Sequence, residues 1–309
     1  SQWEIDVPPA FRTEQLCFTR LCSLPYGMSI VSKFSTNEDT SSEISPKSYN
    51  QVYHQRAWRV FCETELTRSY FLRFHPGKER KFVLSGYPKL TTLLEARSQP
   101  EYWPIERGKR YFRIIWAPHH SVTPEWLGFG VFHRIFAAFL DWAKKSPELE
   151  FVLKPHPGLF SNLTNSGVLP KAILDQFIND WSGLSNCVIE NNLYAHLFAA
   201  SDLMITDGLS FLTEYPAFEK PLIFFDSGHH VPMNPIGQVA LDCAHVVRTF
   251  DEMRAATMQY AHGAAFEGAD QRRKLLDLLF PTEKPPTEVI LHAIADGVHE
   301  ERKAMSAIA

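Results

Sequence analysis

The stretch Leu203-Met204-Ile205-Thr206-Asp207-Gly208-Leu209-Ser210-Phe211-Leu212-Thr213-Glu214 decides how the chain is read. Its first four residues are apolar or β-branched with no polar alternation. Such a run fits a strand buried on both faces, as in a parallel sheet. A glycine turn follows, and helical spacing resumes over residues 210–218. The turn also has a chemical reading. Gly208 lets the backbone approach a ligand closely. Ser210 opens a helix, where unpaired N–H groups and the helix dipole favour an anion. Glu214 falls one turn further along the same face. The same residues equally fit an ordinary helix start capped by Asp207 or Ser210.

Outward from this stretch the pattern repeats. Residues 113–117, 149–153, 187–189 and 221–225 read as short apolar strands, with a last one at 246–247. Helical spacing covers 129–145, 170–181, 194–200, 250–261, 269–278 and 287–308. Strands alternating with helices imply an α/β fold with a parallel sheet covered on both faces. Ligands in such sheets bind beyond the carboxyl ends of the strands. Before residue 100 the pattern is thinner, with strands expected at 29–31, 59–61 and 81–84. That region reads as a small and partial domain. A polar loop is expected over 35–50, and a connection over 98–110 containing Pro100, Trp103, Pro104 and Gly108. The expected division is an N-terminal domain over 1–108 and a C-terminal domain over 109–309.

Four polar clusters directly follow expected strands: His119-His120-Ser121, Lys154 with His156, Glu190-Asn191-Asn192, and Thr206-Asp207-Gly208 with Ser210. Sheet topology would bring them to one edge. His156 lies between Pro155 and Pro157, which hold its backbone extended. Beside Lys154 it can meet a diphosphate or move a proton; the alternative is a hydrogen-bonded loop histidine. His119 and His120 lack further ligands at metal spacing, so no metal site is expected. His229-His230 reads as a surface turn, and Phe211 and Tyr215 as packing residues.

The 309 residues are 45% hydrophobic with a net charge of −4, a balance suited to a folded chain without a broad nucleic-acid footprint. Five scattered cysteines fit free thiols in a reducing compartment. No apolar run reaches the roughly 18 residues needed to span a bilayer. No signal peptide is expected from Ser1-Gln2-Trp3-Glu4, which has no charged segment leading into an apolar stretch.

Several pieces, in order, resemble the CDP-glycerol glycerophosphotransferase family of teichoic-acid and capsule polymerases. They are Phe82-Val83-Leu84-Ser85-Gly86-Tyr87-Pro88-Lys89, Ala117-Pro118-His119-His120-Ser121, Lys154-Pro155-His156-Pro157, the stretch from Ser201 to Tyr215, Lys220-Pro221-Leu222-Ile223, and Asn234-Pro235-Ile236-Gly237. The resemblance implies a GT-B architecture, two Rossmann-like domains facing a cleft. It also implies metal-independent transfer from a CDP-linked donor, with no cofactor, to a polymer or lipid-linked acceptor. The expected place of work is cytoplasmic, with peripheral contact at the inner membrane face. His156 matches the family's His-Pro histidine, and Asp207 and Ser210 match its Thr-Asp-Tyr-Ser-Ser turn. Gly208-Leu209 replaces Tyr-Ser, so one hydroxyl is missing.

On this reading, His156 and His120 are the catalytic candidates. His119, Ser121, Lys154, Glu190, Asn191, Thr206, Asp207, Gly208, Ser210, Phe211 and Glu214 would surround the donor. Tyr26, Gly27 and His54 would lie on the acceptor side. Where many members carry Trp-His-Gly, this chain has Pro25-Tyr26-Gly27, a form resembling another branch. That leaves the general base open, with His54 and His120 as substitutes. Alternatives are a UDP- or CMP-linked sugar transferase and a noncatalytic nucleotide-binding module of a larger capsule-synthesis protein.

Overall fold

Six parallel strands build the larger sheet of the computed structural model. The structure describes residues 7–33, 44–99, 102–123, 125–191, 195–266 and 268–308. Residues 1–4, most of the polar loop expected over 35–50, Pro100, Asn192 and the first residue of the helix expected at 194 lie outside them. Among the described residues the strands in chain order are β1 (Cys22–Ser23), β2 (Arg59–Cys62), β3 (Phe82–Leu84), β4 (Phe112–Ala117), β5 (Leu149–Leu153), β6 (Cys187–Ile189), β7 (Leu203–Thr206), β8 (Leu222–Phe225) and β9 (His245–Val247).

The larger sheet runs β6-β5-β4-β7-β8-β9. Strand order therefore reverses beside β4. From β4 the chain first builds outward through β5 and β6, then returns to lay β7 on the other side. A crevice opens at such a reversal, outside the carboxyl ends. Trp116 pairs with Leu153 and with Ile205, and Ala117 pairs with Thr206. The segments after β4, β5 and β7 thus leave the sheet at one level.

Each face of the sheet is covered. On one, Trp116 stacks on Phe139 of the helix Phe132–Lys145 at 4.0 Å and 4°. Phe177 and Trp181 of the helix Lys171–Ser182 close that layer. The helix expected from 129 starts at Phe132 instead. Gly128 has φ 71° and Gly130 lies against the His119 carbonyl, where a Cβ would come within 2.8 Å. These residues form the turn that packs on the His119 loop, so the helix begins after them.

The opposite face carries the helices Pro88–Ala96, Ala195–Ala200, Pro235–Asp242 and Ala269–Leu279. Met28, Ile30, Val31, Tyr87 and Trp103 join that same core. Residues before 108 thus pack into the larger domain's core.

The smaller sheet has three parallel strands in the order β1-β2-β3. Its own core gathers Ile44, Tyr49, Val60, Tyr70, Phe71 and Phe82. The strand expected at 29–31 is not part of it. Val31 makes a single antiparallel bridge to Met233, and the Ile30 carbonyl accepts the Asn234 N–H at 2.9 Å. This apolar segment is drawn onto the larger domain, and the two-residue strand β1 takes its place.

The helix Pro286–Ile308 returns to the smaller domain. Gly297 lies against the Trp58 ring, and Glu301 accepts the Trp58 Nε1–H at 2.6 Å and pairs with Arg20. Among the described residues, no helix is long and apolar enough to cross a membrane. All five cysteines are unbridged.

Candidate active site

The carboxyl edges of the two sheets face each other across a cleft of about 770 Å³. His119, His120, Lys154, His156, Thr206 and Ser210 line the larger domain's wall. Tyr26, Gly27, Tyr49, His54 and Glu63 line the wall opposite. The walls come close where a Cβ on Gly27 would sit 3.7 Å from Ser210 Oγ.

The three histidines converge because the segments after β4 and β5 are tied together. The His156 N–H donates to the Pro118 carbonyl at 3.1 Å, and the Lys154 N–H to that of Trp116 at 2.8 Å. The rings of His120 and His156 stack at 3.6 Å, and His119 lies 5.6 Å from His156. His156 Nδ1 accepts the Gly158 N–H at 3.1 Å. The neutral ring therefore carries its proton on Nε2. His119 Nδ1 likewise accepts the Ser121 N–H at 3.3 Å and contacts Ser121 Oγ at 2.7 Å.

Burial first, and then neighbouring positive charge, depress these groups. His120 falls to about 3. His156 falls to about 4 through burial and the nearby Lys154 charge. His119 lies well below the usual histidine range. At neutral pH all three rings are uncharged hydrogen-bonding groups. Lys154 supplies positive charge beside them and is held by the Asn191 carbonyl at 2.8 Å.

At the Gly208 turn, the helix Leu209–Glu214 starts without a side-chain cap. Gly208 donates its N–H to Thr206 Oγ1 at 2.9 Å, which fixes the turn. Ser210 is exposed at the helix start and Phe211 lines the cleft beside it. The expected capping role therefore belongs to neither Asp207 nor Ser210.

Several expected ligand groups stand behind the wall rather than in it. Both Asp207 oxygens accept backbone N–H groups, from His119 at 2.6 Å and Val131 at 2.7 Å. Burial pushes its carboxyl up to about 7. It ties the His119 loop to the start of the next helix. Ser121 is fully buried and accepts the Phe129 N–H at 3.1 Å. Glu214 is also buried, accepting from Tyr87 Oη at 2.6 Å and pairing with Lys89 at 3.3 Å. Glu190 acts on the cleft through the Lys154 charge, and Asn191 through its backbone. These groups hold the lining residues in place instead of lining the cleft.

On the opposite wall, Tyr26 is exposed at the mouth. His54 Nδ1 accepts the Gln51 N–H at 3.3 Å, capping its own short helix. Its ring packs on Tyr53 and Phe71, and burial lowers it to about 3. Sequence reasoning passed over Glu63. It directly follows β2 at the carboxyl edge, the same placement that singled out the four clusters of the larger domain. Among the described residues, no group of three or more His, Cys, Asp or Glu is placed to hold a metal ion.

The model of the CDP-glycerol:poly(glycerophosphate) glycerophosphotransferase family matches residues 27–230, which include the larger domain's wall of this cleft and the opposite wall from Gly27 onward. The chain belongs to that family. A search of curated protein sequences gives no match. Among solved structures, the chain resembles a putative UDP-N-acetylglucosamine 2-epimerase from Listeria monocytogenes, with TM-score 0.53 and 15% identity over 82% of this chain. It spans 63% of that protein's length. It also resembles the UDP-GlcNAc 2-epimerase from Neisseria meningitidis bound to UDP-GlcNAc, with TM-score 0.51 and 14% identity over 92% of this chain and 72% of the other. A variant of the wall teichoic acid polymerase TagF soaked with CDPG gives TM-score 0.51 and 14% identity, over 90% of this chain and 67% of the other. The shared feature is the fold, a GT-B arrangement of parallel α/β domains. In this chain, part of the ordered motif set lines the cleft. Lys154-Pro155-His156-Pro157 and the Gly208 turn line it, and Asn234-Pro235-Ile236-Gly237 fastens the segment that leads into its opposite wall.

Proposed function

We propose that this protein transfers glycerol phosphate, or a related polyol phosphate or sugar, from a CDP-linked donor to a hydroxyl of a polymer or glycolipid acceptor. The observation that carries the reading is the convergence of Lys154, neutral His156 and the uncapped helix start at Ser210 on one edge of the larger sheet.

The diphosphate of the donor would rest against that edge. Lys154 balances its charge, and the Nε2–H of His156, the Ser210 hydroxyl and the first helical N–H groups donate hydrogen bonds. These donors strengthen as charge develops on the departing nucleotide. Leaving-group stabilisation of this kind proceeds through protein donors without a metal. His120 packs on His156 and holds its ring. Phe211 and the turn at Thr206-Gly208 shape the nucleotide end. The acceptor would enter between Tyr26 and His54 on the opposite wall. Work at the inner face of the cell membrane fits the exposed Phe11, Phe18, Leu24 and Tyr26, which offer apolar surface toward a lipid-linked acceptor.

Calorimetry with CDP-glycerol, CDP, CMP and UDP tests this reading. The cytidine diphosphates are expected to bind more tightly than UDP, and His156→Ala is expected to lower CMP release from CDP-glycerol. No binding of any cytidine nucleotide, with unchanged turnover in His156→Ala, would remove the proposal.

A further inference from the structure

On the donor wall, His156 Nδ1 and His119 Nδ1 already accept backbone N–H groups, and burial lowers His120 to about 3, so these rings are poor proton acceptors for the attacking hydroxyl. An in-line displacement needs such a group on the far side from the leaving nucleotide. The far side here is the smaller domain. We propose that Glu63 is the general base of this site, taking the proton from the acceptor hydroxyl. This rests on the transferase reading above.

Glu63 extends from the carboxyl end of β2 and lines the cleft, although only 3% of its surface is exposed. Its Oε1 accepts the Ser29 N–H and the Thr67 hydroxyl, each at 2.9 Å. A buried carboxyl pinned by two donors keeps one orientation, as a proton acceptor in a transfer step requires. Burial raises its proton affinity above the ordinary carboxylate range, toward working pH.

The other titratable groups of this wall fit the role less well. His54 caps its helix through Nδ1 and is lowered to about 3. Tyr49 contacts Ser29 Oγ at 2.6 Å, and burial raises its phenol well above neutral. Cys62 and Tyr87 also act electrostatically with Glu63, and both are raised by burial. Lys89 lines the same cleft and is paired with Glu214.

The larger domain also has a hold on Glu63. Asn234 Nδ2 donates to the Ser29 carbonyl at 2.7 Å, and the Ser29 N–H in turn holds the Glu63 carboxyl. The Asn-Pro-Ile-Gly motif of one domain thereby positions the base supplied by the other.

For glycerol phosphate transfer the step balances as follows. The acceptor oxygen forms a bond to the β-phosphorus as its proton passes to Glu63. The bond from that phosphorus to the bridging oxygen breaks, and its electron pair leaves on CMP.

The test measures CMP release from CDP-glycerol across pH 5–9, with glycerol as acceptor, for the full chain and for Glu63→Gln and Glu63→Asp. Glu63→Gln is expected to lose about 100-fold in rate, in line with removal of a general base. It should also lose the acidic limb of the pH profile while keeping CDP-glycerol affinity. Glu63→Asp should fold, keep the limb and run at an intermediate rate. If Glu63→Gln folds and retains both rate and limb, Glu63 is not the base, and the transferase reading stands. If Glu63→Gln does not fold, the limb of Glu63→Asp decides. Its disappearance or an unaltered rate overturns the assignment. CDP-glycerol binding without any CMP release by the wild type overturns both readings.

Discussion

The imidazole rings of His120 and His156 lie 13° from parallel with their centroids 3.6 Å apart. Burial pushes each ring toward the neutral form, with His156 adding to the effect at His120 and Lys154 adding to it at His156. His156 therefore acts as an Nε2–H donor, and His120 as the surface that fixes its ring. Replacing His156 with Ala is expected to lower kcat/KM for CMP release from CDP-glycerol about 100-fold, the scale for losing one donor to a developing charge. His120→Phe preserves a flat stacking partner and should stay within a few-fold of wild type, whereas His120→Ala should lose about tenfold. Equal losses in the Phe and Ala variants would mean that His120 contributes through its nitrogens rather than through packing.

Asp207 illustrates a motif residue that shapes the site from behind. Its two oxygens satisfy the N–H groups of His119 and Val131. Asp207→Ala leaves both buried donors unpaired, at roughly 1–3 kcal/mol each. A lowered urea midpoint together with weaker CDP-glycerol binding is the expected result. A variant that keeps its midpoint but no longer binds the nucleotide would instead place the carboxylate against the ligand.

Much of this was legible in the sequence. Unbroken apolar runs such as Leu203-Met204-Ile205 mark strands covered on both faces, and the polar residues following them mark the sheet edge. The sequence could not separate residues facing the cleft from those turned into the wall. Ser121 and Asp207 stand one or two positions from His119 and Gly208, yet their side chains point into the protein. That choice depends on the Gly128–Gly130 turn arriving from further along the chain. The smaller domain was harder to read because its strands hold only two to four residues. The apolar segment 28–31 had a strand-like composition but found a better apolar partner in the larger domain's core. Glu63 was hidden by the brevity of β2, which made its carboxyl edge hard to locate.

The depressed histidines also make a prediction for stability. In the unfolded chain each takes a proton near pH 6.5, while folded His156 and His120 resist protonation down to about 4 and 3. Below pH 6.5 the unfolded state binds more protons, so their contribution to stability falls with falling pH, at most about 1.4 kcal/mol per pH unit per ring. Partial exposure of both rings reduces that figure. Asp207, raised to about 7, has the opposite sign in the same window, because the folded state takes its proton first. The test is therefore a difference. The melting temperature of wild type should fall more steeply between pH 6.5 and 4.5 than that of His156→Gln. Parallel curves would show that His156 titrates normally in the folded protein.

Gly237 joins the two domains by having no side chain. Its N–H donates to Asn234 Oδ1 at 2.9 Å, and a Cβ there would overlap the Ile30 carbonyl and come within 3.0 Å of Met233 Sδ. Backbone cannot yield as a flexible side chain can, so Gly237→Ala must displace the segment carrying Ser29 and Ile30 or shift its own helix. The expected loss is about 1–3 kcal/mol, as for overpacking elsewhere in protein cores. The same displacement would move the Ser29 N–H away from Glu63. Transfer should then fall further than CDP-glycerol affinity, since the proposed nucleotide site lies on the other wall. Hydrogen exchange at the Asn234 amide, which donates to Ile30, reports the docking directly. Faster exchange there with a selective loss of turnover is the expected outcome. Unchanged exchange and full turnover would show that the interface absorbs the methyl group without disturbing the cleft.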